Sequence, residues 1–463
     1  MATLARWKRY VNTSLIHEPA VGQVLSPPAI ERLCREHGHR WRHSFWCPTT
    51  TVLTFLLQVL DGAKTLRAAV GLVLAQRVAA GRTDLPGGDP TAYCQARKRL
   101  PGQVLEALSR ETAQRMQRLV TPQTGWLGRR VWIVDGSSVS MPDTPQLQQA
   151  FPQPSGQRRG CGFPVAQMVA LFCWTTGALI DLAIDSIVPH EVSLWRRLWS
   201  HFHTGDVVLA DRAYCSYVDL TRLLNRGVFC VVRLHQRRKV DFRRGWRLGP
   251  DDRLVTWVKP KQWRPSCGIS REEFDRLPGV LWVRLVRISE GPRGFRSRTI
   301  MVATTLLDPQ ATPAEAIRDL YRDRWLAELN LRSIKTHLGM DVLRGQSLDV
   351  VRKEMAMHVL AYNLIRLVMW QAARRRGCDL HQLSFTGTLH RLRVVLPMVL
   401  CNARLRDRAA VLWNHLLDSV ADDQLPHRPN RTEPRRRKRR PKPYSLLRRP
   451  RSYYKHHGDP GAR

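Results

Sequence analysis

Short apolar runs of strand length alternate with helical stretches from residue 126 onward, and this order constrains the fold more than any other feature. The pattern predicts strands at 131–134, 165–174, 178–187, 207–210 and 228–234, and helices at 191–203 and 216–225. Strands and helices mixed in this order are typical of an α/β layer architecture.

Changes in composition mark the regions around this alternation. Residues 236–298 are rich in Arg, Gly, Pro and Trp and contain strand-like pieces at 254–258 and 280–288, so we interpret them as a β-rich insertion. A further strand is predicted at 299–307 and a second long helix at 347–376, with a buried stripe of Met355, Val359, Tyr362 and Leu367. The predicted division is a helical N-terminal domain at 1–120, a core at 126–235 and 299–340 around the insertion, a helical region at 341–425 and a tail at 426–463.

The charge of the chain indicates its class of partner. Its 463 residues include 75 Lys and Arg against 38 Asp and Glu, a formal net charge of +37. Residues 426–463 hold 14 of the basic and two of the acidic residues, which predicts a disordered tail, but the remainder is also strongly basic. A polyanion relieves such self-repulsion best, so we expect a nucleic acid as partner. The N-terminal domain is then either a DNA-binding domain or a packing domain with a basic surface.

Other classes of protein and site are not expected. No apolar run reaches the roughly 18 residues that a membrane helix needs, and residues 1–20 show no secretory signal, so we expect no membrane partner. The ten cysteines include no C-x-x-C pair, which is typical of reduced thiols and predicts a cytoplasmic location. The spacing of one cluster fits no standard zinc pattern, and neighbouring arginines would repel a cation: Cys34, His37, His39, His43 and Cys47.

Two acidic residues each follow an apolar strand. Asp135 ends the run at 131–134, and Asp211 ends the run at 207–210. The carboxyl edge of an open α/β sheet is where sites lie, so these positions suit catalytic or metal-binding acids. The alternative is an ordinary Asp of a turn or helix cap.

A long helix supplies a third acid. Thr312 and Glu315 are spaced as a capping box, Pro313 suits the first helical position, and no Gly or Pro interrupts the run, so we predict one helix over 313–338. At about 100° per residue, one polar stripe collects Tyr321, Arg324, Glu328 and Lys335. An apolar stripe beside it can pack on the sheet and aim Glu328 at the sheet edge. The alternative is a solvated face with an Arg324–Glu328 pair.

Carboxylates gathered in one place repel one another unless a cation joins them, and hard divalent ions prefer oxygen ligands. Two such ions can activate a water or a 3′-hydroxyl and stabilise a leaving oxygen. Arg324 and Lys335 on the same face suit phosphates, while Tyr321 suits a hydrogen bond to phosphate or stacking on a base. Residues of these types at Asp135, Asp211 and Glu328 would together suit metal-dependent phosphoryl transfer on DNA, although the spacing alone favours the solvated Arg324–Glu328 pair.

These motifs resemble a known family. Tyr321-x2-Arg324-x3-Glu328-x6-Lys335 is similar to the Y-R-E-K signature of bacterial insertion-sequence DDE transposases of the insertion-sequence-4, cut-and-paste type. V-D-G-S at 134–137 resembles the first-Asp region of that group, and L-A-D-R-A-Y at 209–214 with V-V-R-L at 231–234 resembles its second-Asp region. The three regions occur in the order of the family and extend over 126–375.

The resemblance implies a ribonuclease-H-like mixed sheet, with Asp135 and Asp211 on neighbouring strands, Glu328 on the closing helix, and a β-rich insertion between the second Asp and the Glu. It implies two Mg²⁺ ions, with Mn²⁺ as a substitute, held by Asp135, Asp211 and Glu328. Tyr321, Arg324 and Lys335 would contact DNA.

The resemblance also implies that double-stranded DNA is the substrate, both as element ends and as target, with no small-molecule substrate. The enzyme would cut the element ends, often through a DNA hairpin, and join them to target DNA as a homodimer in the bacterial cytoplasm, associated with the nucleoid when bound to DNA. A flipped base would stack on an aromatic residue of the insertion: Trp246, Trp257, Trp263 or Trp282, of which Trp282 suits packing better.

Two other functions stay open at this point. A nuclease of the same fold would cut without joining strands, and a non-catalytic DNA-binding protein would use the carboxylates only structurally. Several residues have simpler interpretations: Glu354 and His358 as a buried hydrogen-bonded pair, Gly160–Gly162 as a turn, and Glu191 as a charge favourable at a helix N-terminus.

Overall fold

The computed structural model describes residues 25–42, 44–62, 64–187, 191–238, 240–290, 298–401, 406–426 and 447–457. His43 of the weighed zinc cluster and most of the basic tail lie outside these residues. Over the described ranges, no helix has both the length and the apolar character needed to cross a bilayer.

Helices make up most of the described chain before residue 120. They are α1 (Pro27–Glu36), α2 (Pro48–Leu60), α3 (Leu66–Ala79), α4 (Thr91–Arg99) and α5 (Gly102–Arg118). Ser26 and Thr65 cap α1 and α3, because their side-chain oxygens accept a hydrogen bond from an amide of the first turn. Nearly all of α2 is buried, and α2 and α5 both pack against a long C-terminal helix. The main hydrophobic core therefore joins α1, α2 and α5 to the rest of the chain, while α3 and α4 share a smaller cluster of their own.

One nine-stranded mixed sheet occupies the centre of the fold. Its strands are β1 (Val131–Ser140), β2 (Val165–Cys173), β3 (Leu179–Ser186), β4 (Val207–Ala210), β5 (Phe229–Arg233), β6 (Trp246–Gly249), β7 (Asp252–Val258), β8 (Val280–Glu290) and β9 (Arg298–Thr304). Their spatial order is β3-β2-β1-β4-β5-β9-β8-β7-β6. β1, β4 and β5 are parallel, and the other neighbours are antiparallel. The predicted α/β class is confirmed.

Short helices connect the strands. They are α6 (Pro145–Ala150), α7 (Glu191–Arg197), α8 (Tyr217–Asn225) and α9 (Arg271–Asp275). α7 packs on β2 and β3, and α8 packs on β5, so both cover the central strands. The β-rich segment is continuous with the central sheet, because β8 pairs with β9 and β9 pairs with β5.

The prediction of one unbroken helix over 313–338 is wrong. The segment forms α10 (Ala314–Arg322), α11 (Trp325–Arg332) and a π-helical turn at Ser333–His337. The break falls at Asp323, whose carboxylate accepts a hydrogen bond from the indole nitrogen of Trp174 at 2.9 Å. The break therefore coincides with a contact from the loop after β2, and the sequence pattern of residues 313–338 gives no sign of this contact.

The predicted capping box at Thr312 is also wrong. The Thr312 hydroxyl donates to the carbonyl of Asp308 at 2.6 Å, and the Thr312 carbonyl accepts from Arg284 at 2.7 Å. Pro313 precedes α10 without a side-chain cap. The Thr312 carbonyl is thus an acceptor for Arg284, a buried residue that also pairs with Asp252.

Three helices follow the π-helical turn along the chain: α12 (Leu348–Arg376), α13 (Phe385–Cys401) and α14 (Arg406–Asp422). α12 ends at Gly377, whose φ of +65° suits glycine at a helix C-terminus. Met355, Tyr362 and Leu367 of the predicted stripe are buried, and Val359 is half-buried. His358 is buried against the carbonyls of Glu354 and Leu338, and the Glu354 carboxylate accepts from two backbone amides, so this pair is structural.

The described part of the basic tail, residues 447–457, contains a short helix, which the prediction of a disordered tail over 426–463 does not include. α15 (Arg451–His457) follows Pro450, and Arg451 donates to the carbonyls of Gly160 and Gly162 at 2.8 and 2.7 Å. Arg451 also pairs with Asp143. The turn at Gly160, with φ of +77°, forms the surface that holds this helix.

Candidate active site

Asp135 lies within β1 and not at its end, which corrects the sequence prediction. β1 continues to Ser140 because it stays paired with β2, and Asp135 itself faces Ala170 in that ladder. On the other side, the parallel pairing of β1 with β4 stops at Ile133, opposite Leu209. The sheet therefore opens beside Asp135, although the strand goes on.

Asp135 and Asp211 stand at the same level of the sheet. Ile133 pairs with Leu209, and each acid comes two residues later on its own strand or just beyond it. Because side chains alternate between the faces of extended chain, the two carboxylates share one face. Asp211 is also a cap, since its Oδ1 accepts from the amide of Ala213 at 2.6 Å. The structure thus shows the cap that was the alternative interpretation of Asp211, and its role as a metal-binding acid stays a prediction.

Glu328 reaches this face from α11, which packs against β1. Its Oε1 accepts a hydrogen bond from Arg324 Nη2 at 2.7 Å, so the pair weighed in the sequence is formed. The pair is partly buried, with 21% of the Arg324 side chain and 40% of the Glu328 side chain exposed. The charges of Arg324 and Glu328 both act on the carboxyl of Asp135, which places them at the site and not on a solvated face.

Tyr321 and Lys335 complete the predicted stripe despite the break in the helix. Tyr321 is buried, and burial raises the pKa of its hydroxyl to about 12, although Arg324 and Arg233 oppose this shift. Lys335 lies in the π-helical turn, and its ammonium donates to the hydroxyl of Ser137 on β1 at 2.8 Å. Lys335 thus contacts β1 close to Asp135, and Tyr321 lies near the arginines Arg324 and Arg233.

The electrostatics of the site centre on Asp135. The pKa of its carboxyl is raised to about 6, chiefly by burial, and the nearby carboxylates of Asp211 and Glu328 contribute to this rise. Arg324 and the amide of Gly136, which donates at 3.0 Å, lower the pKa but do not cancel the rise. The protein alone therefore leaves negative charge at this point undercompensated.

This donor set fits a divalent cation. The charges of Asp211 and Glu328 both act on the carboxyl of Asp135, and a bound cation would supply the positive charge that Asp135 lacks. Within the described residues, no three His, Cys, Asp or Glu side chains are close enough to form a finished metal cage. Glu328 is turned to Arg324 instead, so metal binding requires this side chain to rotate or share its oxygens.

The comparison with known proteins decides the family. A model of the transposase DDE domain matches residues 126–364, which contain all the site residues described above. The chain belongs to this family. It is a DNA transposase, an enzyme that cleaves and transfers DNA strands.

Individual relatives agree with this assignment. The transposase is 27% identical over 367 residues to the transposase InsG for insertion sequence element IS4 of Escherichia coli K12, covering 78% of this chain and 80% of that protein. It is 23% identical over 216 residues to the putative transposase InsZ of the same organism, covering 46% and 67%. Among solved structures it is similar to piggyBac transposase in a synaptic complex with hairpin DNA, at 10% identity and a TM-score of 0.42, covering 87% and 83% of the chains.

Sequence reasoning missed one residue beside the candidate site of this transposase, Glu191. Glu191, interpreted as a helix N-terminal charge, begins α7, and its carboxylate accepts a hydrogen bond from the hydroxyl of Tyr214. Burial raises the pKa of Glu191, and the charge of Asp211 adds to this rise. No local pattern marks Glu191, because only the packing of α7 brings it beside the two strands.

A basic cavity lies between the core of the transposase and its β-rich segment. Its volume is about 460 Å³, and the described residues that line it include four arginines and a histidine but no acid: Arg212, Arg233, His235, Arg238 and Arg287. Arg212 directly follows Asp211, so this cavity adjoins the acidic site. The guanidinium of Arg287 lies over the ring of Phe242 at 4.1 Å, so an aromatic ring forms part of this cationic wall.

The four candidate tryptophans divide into exposed and packed residues. Trp246 is 72% exposed and Trp282 is 44% exposed, so the expectation that Trp282 packs is wrong. Trp257 is buried beneath Arg238, which lies 3.8 Å from its ring, and Trp263 donates to the carbonyl of Ile269. Trp282 lies near the start of β8, opposite Thr256 of β7, where Val280 is exposed as well, whereas Arg284 farther along the same face is buried.

Proposed function

We propose that the transposase cuts the ends of its element, and joins them to target DNA, by two-metal-ion phosphoryl transfer at Asp135, Asp211 and Glu328. The observation that carries this proposal is the shared register of Asp135 and Asp211 at the opening between β1 and β4. Glu328 on α11 approaches the same opening. These three side chains would hold the ions.

The bound cations, Mg²⁺ or Mn²⁺ as its substitute, would activate the attacking water or 3′-hydroxyl and stabilise the leaving oxygen. The protein supplies position and charge around them. Arg324 presents a planar donor fork beside Glu328, and Lys335 presents a point charge held at Ser137. Both suit non-bridging oxygens of the phosphate under attack, and Tyr321, kept protonated by its raised pKa, can donate to a neighbouring phosphate.

The basic cavity beside Asp211 would bind the DNA backbone next to the cut. Four arginines without a lining acid, together with the ring of Phe242, suit a phosphate and an adjoining base. Trp246 and Trp282 are the exposed aromatic residues on which a base displaced from the duplex could stack. Double-stranded DNA is accordingly the proposed partner, as element end and as target.

The arrangement of the sheet supports a ribonuclease-H-like core. In the part β3-β2-β1-β4-β5, three antiparallel strands are followed by two that run parallel to β1, and the acids lie on the central pair. We also propose that the chain is divided into the domains predicted from the sequence. We further propose that it acts as a homodimer that holds two DNA ends, and that it is located in the cytoplasm, associated with the nucleoid. The high positive charge favours association with nucleic acid.

A cleavage assay tests this function. A labelled duplex carrying the element end is incubated with the wild-type protein or with Glu328→Gln, in Mg²⁺ or in EDTA. Wild type should cut only with Mg²⁺, and Glu328→Gln should bind DNA but cut at least about 100-fold more slowly, since it loses a charged metal ligand. Asp319→Asn is the matched control, because Asp319 is an exposed acid on α10 paired only with Arg322.

The products separate the remaining alternatives. Joined products on the same gel indicate strand transfer, whereas cleavage without joining indicates a nuclease. Binding by wild type without cleavage in Mg²⁺ or Mn²⁺ would contradict the proposed chemistry and favour a DNA-binding protein.

A further inference from the structure

The carboxylate of Glu191 lies against Gly136 of β1 and against the turn that follows β4. A Cβ added to Gly136 would lie 2.2 Å from Oε1 of Glu191, far inside contact distance. The Glu191 carboxylate therefore packs directly against the backbone of Gly136, the residue after Asp135. Glycine at 136 is what allows this approach, because any side chain there would displace the carboxylate.

The other side of the same carboxylate is fixed by Tyr214. The Tyr214 hydroxyl donates to Glu191, and Tyr214 is the last residue of the 3₁₀ turn (Arg212–Tyr214) that Asp211 caps. The tyrosine is fully buried, and its ring meets Trp195 of α7 edge-on at 5.3 Å. Glu191 and Trp195 thus hold Tyr214 from one helix.

We propose that Glu191 is a positioning residue that sets the spacing between Asp135 and Asp211. It contacts β1 at Gly136 and the turn after β4 through Tyr214, so it braces the two places from which the aspartates project. This inference rests on the proposed metal site. Groups that orient ligands through hydrogen bonds commonly change metal affinity by about 10–100-fold when they are removed.

The choice of a carboxylate is informative. A half-buried acid placed near Asp211 is destabilising, and a residue needed only to fill space would not carry this charge. As a hydrogen-bond acceptor, however, the carboxylate makes a stronger bond to a phenol than a neutral group does. An amide at this position keeps an acceptor oxygen and most of the shape, which gives a conservative variant.

The test is direct Mn²⁺ binding to the full chain, followed by electron paramagnetic resonance, together with DNA affinity in EDTA and thermal unfolding. Glu191→Ala should weaken Mn²⁺ binding by about 10–100-fold, while Glu191→Gln restores it to within about threefold. DNA affinity in EDTA should stay unchanged. If Glu191 had a purely structural role, Glu191→Ala would lower thermal stability, DNA affinity and Mn²⁺ binding together.

Two further variants test the contacts. Tyr214→Phe should weaken Mn²⁺ binding as Glu191→Ala does, and the double variant should be no weaker than either, since both remove one interaction. Gly136→Ala leaves Glu191 and Tyr214 intact but displaces the carboxylate, so it should cause a similar loss. Glu315→Ala, at an exposed acid of α10, is the matched control.

The outcomes separate this inference from the proposed function. Failure of the wild-type protein to bind Mn²⁺ would overturn the metal site itself. Normal Mn²⁺ binding by wild type and by Glu191→Ala alike would overturn the positioning role and leave the metal site in place. Additive losses in the double variant would show that Glu191 and Tyr214 act separately, which also contradicts the inference.

Discussion

At the scale of single residues, the negative charge of Asp135 is unfavourable in the metal-free protein and suited to binding a cation. Asp135 is buried near Asp211 and Glu328, and its pKa rises to about 6 because burial outweighs the help of Arg324. A carboxyl arranged in this way destabilises the metal-free protein and attracts a cation. The acid is therefore expected to contribute to function at the expense of stability.

The pH dependence of stability follows from this pKa. The usual pKa of an aspartate in an unfolded chain is near 4, so between about pH 4 and pH 6 the folded state binds more protons than the unfolded state. Ionised Asp135 destabilises the folded chain above pH 6, and this penalty disappears as the pH falls from 6 toward 4. Asp135→Asn should thus unfold at a higher temperature than wild type in EDTA at pH 8, by an amount that shrinks at pH 5.

Thermal unfolding at the two pH values checks this expectation, with Asp319→Asn as the control for loss of an exposed acid. The same Asp135→Asn protein should have lost cleavage in Mg²⁺. Lower stability of Asp135→Asn at pH 8 would show that the ionised carboxylate is well compensated, contrary to the charge balance described here.

At the scale of elements, the break between α10 and α11 determines how the polar stripe meets the sheet. Tyr321 lies on α10, Glu328 on α11 and Lys335 in the π-helical turn, yet all three approach β1 or its arginine neighbours. The break is fixed by Asp323, which caps α10 and accepts from Trp174 in the loop after β2. This contact couples the helix bend to the edge of the sheet.

Asp323→Ala removes that contact at a distance from the acids. Loss of one hydrogen bond to a charged group should lower the free energy of unfolding by about 1.5–3 kcal/mol. Because the orientation of α11 relaxes, cleavage at saturating DNA should fall about tenfold, with little change in DNA affinity. Denaturant unfolding and single-turnover cleavage measure the two effects, and Trp174→Phe should reproduce both. A loss of stability without any loss of cleavage would mean that the break does not position Glu328.

The sequence predicts elements and chemistry better than it predicts contacts between distant segments. Alternation of apolar runs locates β1 to β5, and the spacing of Tyr321, Arg324, Glu328 and Lys335 predicts a shared polar stripe that the structure brings to β1. The helix break and the capping of α10 were predicted wrongly, because Trp174 and Arg284 reach them from far away in the chain.

The candidate site shows the same division. Asp135 and Asp211 are predictable because each follows an apolar run. The role of Glu191 depends on Gly136 and Tyr214, residues 55 and 23 positions away that no periodicity connects to it. The exposure of Trp282 near the start of β8 depends on what packs over that end of the strand, which alternation within the strand does not report.

At the scale of the whole molecule, the net charge of +37 is distributed so that a basic cavity adjoins an acidic centre. In the proposed function, the cationic walls attract the DNA backbone, while the acids repel phosphates until cations are bound. DNA binding and metal binding should therefore support each other. A +37 protein should also bind DNA with a strong dependence on salt.

Arg233→Ala tests the role of the cavity. Arg233 lies at the end of β5, lines the cavity and acts electrostatically on Tyr321. Removal of one phosphate contact should weaken binding to the element end and reduce the slope of log K against log salt by about 0.9. Fluorescence anisotropy over a series of salt concentrations measures this slope. Arg322→Ala, at an exposed arginine paired with Asp319, is the control and should leave the slope nearly unchanged.

The central claim is that Asp135, Asp211 and Glu328 bind the catalytic cations, and metal-directed cleavage of the polypeptide tests it most directly. Fe²⁺ replaces Mg²⁺ on the full chain, ascorbate and peroxide generate radicals at the metal, and mass spectrometry locates the cut peptide bonds. Cuts should cluster near residues 135, 211 and 328, disappear with excess Mg²⁺, and weaken in Asp135→Asn. Cuts confined to other segments, such as the cysteine and histidine cluster at 34–47, would contradict the claim.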